Sequence, residues 1–203
     1  MTSKRKIAIY GGTFNPPHIA HVQACKSFVE RIMPDEVIII PSYIPPHKAV
    51  EGCVDPYQRV EMARLAFSDI AGAVVSDMEI ARGGTSYTAI TLTELSNDES
   101  ELYFLCGTDM FLSMDTWYRP DIIFNLATVC CIRRECVEEN TALLESKARY
   151  FEKEFAAKTV IIPVDAIELS STEIREKISR GENVSELVPA EVLNYIKREG
   201  IYL

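Results

Sequence analysis

The chain has 203 residues, of which 47% are hydrophobic and 25% charged, and its formal net charge is −9. This balance excludes an intrinsically disordered protein and predicts a single globular domain, 1–203, with a sizeable core. The acidic surplus argues against a nucleic-acid partner, so a phosphate site in this chain must gather its cations locally.

Short apolar strands alternate with helical patterns along the chain. This predicts stacked βαβ units, an α/β Rossmann-like doubly wound parallel sheet, with a helical C-terminal portion over about 170–203. Residues 7–10 read as an apolar strand that runs into Gly11 and Gly12. Asn15 is placed to cap the following helix, with Pro16 and Pro17 in its first turn, where their missing N–H groups cost nothing. That helix carries Ile19, Val22, Cys25, Val29 and Ile32 at three- and four-residue steps and stops before Pro34. A buried strand over 37–40 ends at Pro41, and a proline-rich loop over 42–48 follows. Asp55-Pro56 then opens a helix reaching Phe67. A strand is expected over 73–80, a glycine turn over 82–86, a helix over 88–95 and an apolar strand over 102–106 running into Gly107. Next come a strand over 127–132, a charged amphipathic helix over 139–155 and a short strand over 160–163. The chain ends in helices over 172–179 and 189–198, closed by Gly181 and Gly200.

Six cysteines, Cys25, Cys53, Cys106, Cys130, Cys131 and Cys136, form no C-x-x-C pair, and several sit in apolar runs. They read as buried thiols in a reducing compartment. No apolar run reaches membrane-spanning length and no signal-peptide core follows the N-terminus, so the expectation is a cytoplasmic protein with no membrane partner.

In an open doubly wound sheet, ligands bind beyond the carboxyl ends of the strands. The loops starting at Gly11, Pro41, Gly84, Gly107 and Ile132 are therefore expected to converge. Gly11 and Gly12 lack a Cβ and let a ligand approach the main chain, and the helix start behind them offers amides and a positive dipole end to an anion. His18 and His21, three residues apart, share one helix face. They read either as phosphate donors, as capping or partly buried imidazoles, or as a metal pair with His47; the absence of carboxylates or cysteines at ligand spacing makes no metal the better reading. Ser170-x-x-Glu173 is a capping box, opening either an ordinary helix or one whose amides, with Ser171, Thr172 and Arg175, hold phosphate oxygens. Lys48 is a solvated loop lysine or one aimed by Pro45-Pro46-His47. Trp117, the only tryptophan, is a core residue or a flat stacking surface with Tyr118 beside it. Asp109 after Gly107 is a helix cap or a contact for ribose hydroxyls. Arg133 and Arg134 end a strand on the ligand side, with no spacing that selects either.

The tract lacks both G-x-G-x-x-G and G-K-[ST]. Gly12-Thr13-Phe14-Asn15-Pro16-Pro17-His18-Ile19-Ala20-His21 instead resembles the H-x-G-H signature of the nucleotidyltransferase superfamily, and its opening is similar to that of nicotinate-nucleotide adenylyltransferases. Ser170-Ser171-Thr172-Glu173-Ile174-Arg175 resembles the superfamily's S-S-T-x-I-R helix start, which in that family binds the triphosphate of ATP. The resemblance extends to Pro45-Pro46-His47-Lys48, to 82–88, to Gly107-Thr108-Asp109 and to Trp117, in order along most of the chain.

The resemblance implies that the 5′-phosphate of nicotinate mononucleotide attacks the α-phosphate of ATP in line. Nicotinate adenine dinucleotide forms and pyrophosphate leaves with magnesium, without a covalent enzyme intermediate. It implies catalytic roles for His18, His21 and Lys48. Nucleotide and phosphate binding would fall to Gly11, Gly12, Thr13, Phe14, Gly107, Asp109, Ser171, Thr172 and Arg175, and the nicotinate ring to Thr85, Trp117 and Tyr118. Another acceptor, such as nicotinamide mononucleotide, and a non-catalytic nucleotide-binding protein of the same fold are the alternatives; the oligomeric state, including a homo-oligomer, is open. Two residues depart from the family pattern: Ala20 stands where H-x-G-H has glycine, and Asn15 where aspartate is usual.

Overall fold

The computed structural model describes residues 4–46, 54–134, 138–165 and 167–203. Its first half runs β1 (Arg5–Gly12), α1 (Ile19–Ile32), β2 (Glu36–Pro41), α2 (Pro56–Ala66), β3 (Ala73–Val75), α3 (Met78–Arg82) and α4 (Thr88–Leu95). The second half runs β4 (Ser100–Gly107), α5 (Thr108–Ser113), a 3-10 turn (Met114–Thr116), α6 (Pro120–Leu126), β5 (Ala127–Arg134), α7 (Glu138–Phe155), β6 (Thr159–Val164), α8 (Ser171–Ser179) and α9 (Ala190–Glu199). The strands form one six-stranded sheet ordered β3-β2-β1-β4-β5-β6, and β1–β4, β4–β5 and β5–β6 pair in parallel. The order reverses between β1 and β4, which places the topological switch point beside the two strands that end in glycine. The expected Rossmann-like α/β sheet with helices at its C-terminal end is present.

The chain divides into two compact units. One comprises Met1–Gly11, Ser27–Ile38 and Tyr87–Ala166. Its interior is built from the apolar faces of β1, β4 and β5, with Ile7, Ile9, Leu102, Leu105, Val129 and Cys130 all buried. Phe111 and Phe124 pack on Phe151 at 5.2 and 4.6 Å between ring centres, which seats α7 on this unit. The other unit comprises Gly12–Lys26, Ile39–Ser86 and Ile167–Leu203. Here α2 packs against α9, burying Val60, Met62 and Ala63 on one helix and Val192 and Ile196 on the other.

Local signals set most element ends. Asp55 accepts the Tyr57 N–H at 2.8 Å while Gln58 accepts the Asp55 N–H, a reciprocal box that starts α2 at Pro56. Gly181 and Gly200, at φ 70° and 65°, turn the chain out of α8 and α9 as expected. The strand expected over 73–80 stops at Val75: the Ser76 N–H makes a last bond to the Ile39 carbonyl at 2.9 Å, the Ser76 hydroxyl accepts the Met78 N–H, and α3 begins at Met78. An apolar run this short serves a strand or a buried helical turn equally well.

Cys25, Cys106, Cys130 and Cys131 are buried thiols without disulfides, and Cys53 and Cys136 lie outside the described residues. Burial pushes the Cys25 and Cys130 thiols up to about 12 and holds Cys106 well above the usual thiol range. A chain carrying Cys53→Ser and Cys136→Ser should therefore release no rapid colour with Ellman's reagent at pH 8 until denaturant is added. A fast stoichiometric release from the folded protein would contradict this packing.

Candidate functional site

Residues 13–18, between β1 and α1, have no regular secondary structure, yet Phe14, Asn15, Pro16, Pro17 and His18 are all buried. Buried carbonyls outside helix and sheet need donors from elsewhere. They find them on side chains of the same unit. Arg59 Nη1 donates to the Thr13 carbonyl at 2.9 Å, Arg175 Nη1 to the Asn15 carbonyl at 3.0 Å and the Ser171 hydroxyl to the Pro16 carbonyl at 2.9 Å. The Tyr202 hydroxyl donates to Asn15 Oδ1.

This arrangement corrects the expectation that Asn15 caps α1 with Pro16 and Pro17 in its first turn. The helix begins at Ile19, and the carbonyl that accepts its first i+4 bond belongs to His18, from Val22 N–H at 3.2 Å. His21 completes the cap, since its Nδ1 accepts the His18 N–H at 3.2 Å. An imidazole accepting at Nδ1 carries its proton on Nε2 when neutral, so the bond fixes His21 as an Nε2–H donor. The two imidazoles stack at 3.7 Å between centroids, and Phe14 abuts His21 edge-on at 5.3 Å. His18 is only 4% exposed. Ala20, between them, lies in the first turn of α1 and is half-buried.

At α8 the Ser170 hydroxyl accepts the Glu173 N–H at 3.1 Å, one half of the expected capping box, while the Glu173 carboxylate lies 3.7 Å from Lys177 Nζ. Ser171, Thr172 and Arg175 follow in the first turns, with Arg175 Nη2 3.4 Å from the Thr172 hydroxyl. The two motifs thus come together: the first turn of α8 is tied directly to the segment that leads into the histidine pair. The Ser171 hydroxyl gives its proton to the Pro16 carbonyl in this arrangement, so it would have to turn to donate to a phosphate oxygen.

The two glycines differ. A Cβ on Gly12 would stand 2.8 Å from the Phe14 ring, whereas one on Gly11 would meet only Phe104, at an ordinary 3.8 Å. Gly12 is therefore small for the sake of Phe14, which is 1% exposed, rather than for a ligand alone. In the same unit, Thr85 pairs in a parallel bridge with Ile44, Ser86 N–H donates to the Ile44 carbonyl at 2.8 Å, and the Ser86 hydroxyl accepts the Tyr43 N–H at 2.8 Å. The preceding Gly83 and Gly84 take φ of 74° and 72°, a left-handed pair that side-chain-bearing residues resist. The proline-rich loop and the Gly-Gly-Thr loop are thus stitched together, while His47 and Lys48 lie outside the described residues.

The other unit holds Gly107, Asp109, Trp117 and Tyr118. Gly107 is the N-cap residue of α5, so Asp109 falls in its first turn, exposed, and is not the cap. Trp117 is half-buried with its edge to Phe104 at 6.4 Å, and Tyr118, 52% exposed, lies 4.5 Å from Tyr87. The backbone between Trp117 and α6 turns at Arg119 (φ 52°), and Asp115 holds the preceding 3-10 turn to Lys147 of α7 at 2.9 Å. Arg133 is engaged by Thr141 at 2.7 Å.

Sequence reading missed Arg59 and Tyr202. Arg59 is fully buried, donates through Nη2 to the Tyr43 carbonyl at 3.3 Å as well as to Thr13, and has its pKa lowered by that burial against opposing contributions from Tyr202 and Asp55. An arginine in an otherwise ordinary helix gives no local signal of such a role.

A family model described as cytidylyltransferase-like matches residues 9–177. Proteins named probable nicotinate-nucleotide adenylyltransferase from Desulfatibacillum aliphaticivorans and from Clostridium botulinum are 34% and 33% identical, over 98% of this chain and 100% and 98% of theirs. Among solved structures, Plasmodium falciparum nicotinic acid mononucleotide adenylyltransferase complexed with NaAD superposes with a TM-score of 0.74 at 19% identity, covering 98% of this chain and 97% of that one. The same Plasmodium protein complexed with APC gives 0.74 at 18% identity with the same coverage. At such identity these two show a shared fold.

The glycine contacts make a direct prediction. Gly12→Ala should destabilise the protein by about 1–3 kcal/mol in denaturant unfolding, because Phe14 has nowhere to retreat. Gly11→Ala should stay within about 1 kcal/mol of the parent. Equal losses would contradict the assignment.

Proposed function

Because the chain belongs to the cytidylyltransferase-like family, among the nicotinate-nucleotide adenylyltransferases, we propose that it transfers the adenylyl group of ATP to nicotinate mononucleotide. The observation that carries this reading is the junction of the two motifs: the His18–His21 pair and the first turn of α8 are fastened to one short buried segment through Arg175 and Ser171. Donors and cations gathered at two helix starts are the complement of a triphosphate.

In the proposed reaction a 5′-phosphate oxygen of the mononucleotide attacks the α-phosphorus of ATP in line. A new P–O bond forms as the bond to the β-phosphate oxygen breaks, and the electron pair leaves on pyrophosphate. Positioning and charge stabilisation supply the catalysis. His21, held as an Nε2–H donor, and the stacked His18 bind oxygens of the α- and β-phosphates. Arg175 and Thr172, with the amides at the start of α8, hold the β/γ end. Lys48 stabilises developing negative charge. Thr13 and the Gly11-Gly12 backbone border the phosphates, and Phe14 forms the floor beneath His21. Gly107 and Asp109 take the ribose, and Thr85, Trp117 and Tyr118 take the nicotinate ring and its carboxylate. The side chains assigned to the phosphates, His18, His21, Thr172 and Arg175, include no carboxylate, so magnesium would enter with the nucleotide rather than be held by them. When bound, that ion neutralises charge on the leaving pyrophosphate. ATP and nicotinate mononucleotide are the proposed partners and the cytoplasm the proposed location; among the described residues no helix is long and apolar enough to cross a membrane.

Purified protein with ATP, magnesium and nicotinate mononucleotide should release pyrophosphate, and His21→Ala should lower kcat by about 10² to 10³ if its Nε2–H is a transition-state donor. Release no faster than from the His21→Ala protein would end this reading. Run side by side, the acid mononucleotide should be preferred over the amide; equal efficiencies would remove the carboxylate role from Trp117 and Tyr118.

A further inference from the structure

We propose that Tyr202, the penultimate residue, is a positioning residue that sets the geometry of the histidine pair through Asn15. The inference rests on the adenylyl-transfer reading for its kinetic arm and on geometry alone for its spectroscopic arm. After α9 the chain turns at Gly200, Ile201 anchors it by donating its N–H to the Ile196 carbonyl at 3.0 Å with its side chain 6% exposed, and Tyr202 then adopts φ 65°. A tyrosine in the left-handed region costs on the order of 1 kcal/mol or more and persists only where its surroundings over-determine it. Its hydroxyl donates to Asn15 Oδ1.

Asn15 is 3% exposed and joins two opposed fastenings. Its side chain accepts from Tyr202, and its carbonyl accepts from Arg175 at 3.0 Å. Removing the phenolic hydroxyl takes one of these two bonds from Asn15 and leaves the other in place. His18 lies three residues on, at the helix cap that His21 completes. Rotation of the 15–18 backbone therefore moves the N–H that holds His21 Nδ1, and with it the direction of Nε2–H. Burial raises the phenol's pKa against the opposing pull of Arg175 and Arg59, which keeps it a neutral donor across the working pH range. Arg59 closes the same segment at Thr13, so Tyr202 acts within a frame that survives its loss.

Tyr202→Phe removes one hydroxyl and little else. The variant should fold, with kcat lowered about 10-fold and KM for ATP within about twofold, as expected when a donor is misaimed rather than a binding contact deleted. In the His21→Ala background the same change should cost less than twofold, because the group it positions is gone. The chain has 3 histidines, so long-range ¹⁵N imidazole spectra resolve each ring. Wild-type His21 should appear as the Nε2–H tautomer, and Tyr202→Phe should shift or broaden that signal. Wild-type kcat in Tyr202→Phe, an undiminished loss in the His21→Ala background, or an unmoved His21 signal would each overturn the proposal. If the wild-type protein releases no pyrophosphate, the adenylyl-transfer reading fails, and the imidazole spectra alone still decide the role of Tyr202.

Discussion

Everything at the candidate site depends on how the carbonyls of one buried, irregular segment are satisfied. Residues 13–17 sit between β1 and α1 outside helix and ladder, and two of the five are prolines that bring no N–H. An unpaired buried carbonyl costs on the order of 1–3 kcal/mol, so a segment like this persists only with donors supplied from elsewhere. Arg59 from α2 and Ser171 and Arg175 from α8 supply them, and Tyr202 beyond α9 adds a bond to the Asn15 side chain. One requirement of backbone chemistry thereby gathers the 13–17 segment, α2 and α8 into a single constellation.

The same requirement links fold to chemistry. Two of the side chains that satisfy the segment, Ser171 and Arg175, belong to the motif expected to hold phosphate, so the structural latch and the candidate anion site share one helix start. Arg175 illustrates this: its guanidinium fork meets the Asn15 carbonyl and the Thr172 hydroxyl, and a planar five-donor group is suited to serve both a carbonyl and a phosphate oxygen. Ser171 has one proton and therefore less room for two roles. His21 accepts a backbone N–H at Nδ1, an arrangement that puts the proton of a neutral imidazole on Nε2.

Much of this was legible in the sequence because it is local. The periodicity of α1, the helix start at Asp55-Pro56, the glycine closures at Gly181 and Gly200 and the Ser170 cap are written in neighbouring residues and appear as read. The pairing of the histidine tract with 170–175 came from the resemblance to the nucleotidyltransferase superfamily. What local reading misplaced is equally physical. Asn15 is among the best N-cap residues, yet long-range donors outbid the helix for its side chain and carbonyl, and the cap passed to His18 and His21. Gly12 is explained by Phe14, two residues on, a close approach that only three-dimensional packing reveals. Arg59 and Tyr202 carry no motif at all; their contacts lie 46 and 187 residues away along the chain.

Fastening to one segment would make the histidine pair and the α8 start a single phosphate clamp. Calorimetric binding of magnesium–ATP to the parent chain, His21→Ala, Arg175→Ala and the double variant tests this. Each single change should weaken binding, and the double variant should lose less than the sum, with a coupling of about 1 kcal/mol or more. Strictly additive losses, or unchanged affinity in either single variant, would contradict it.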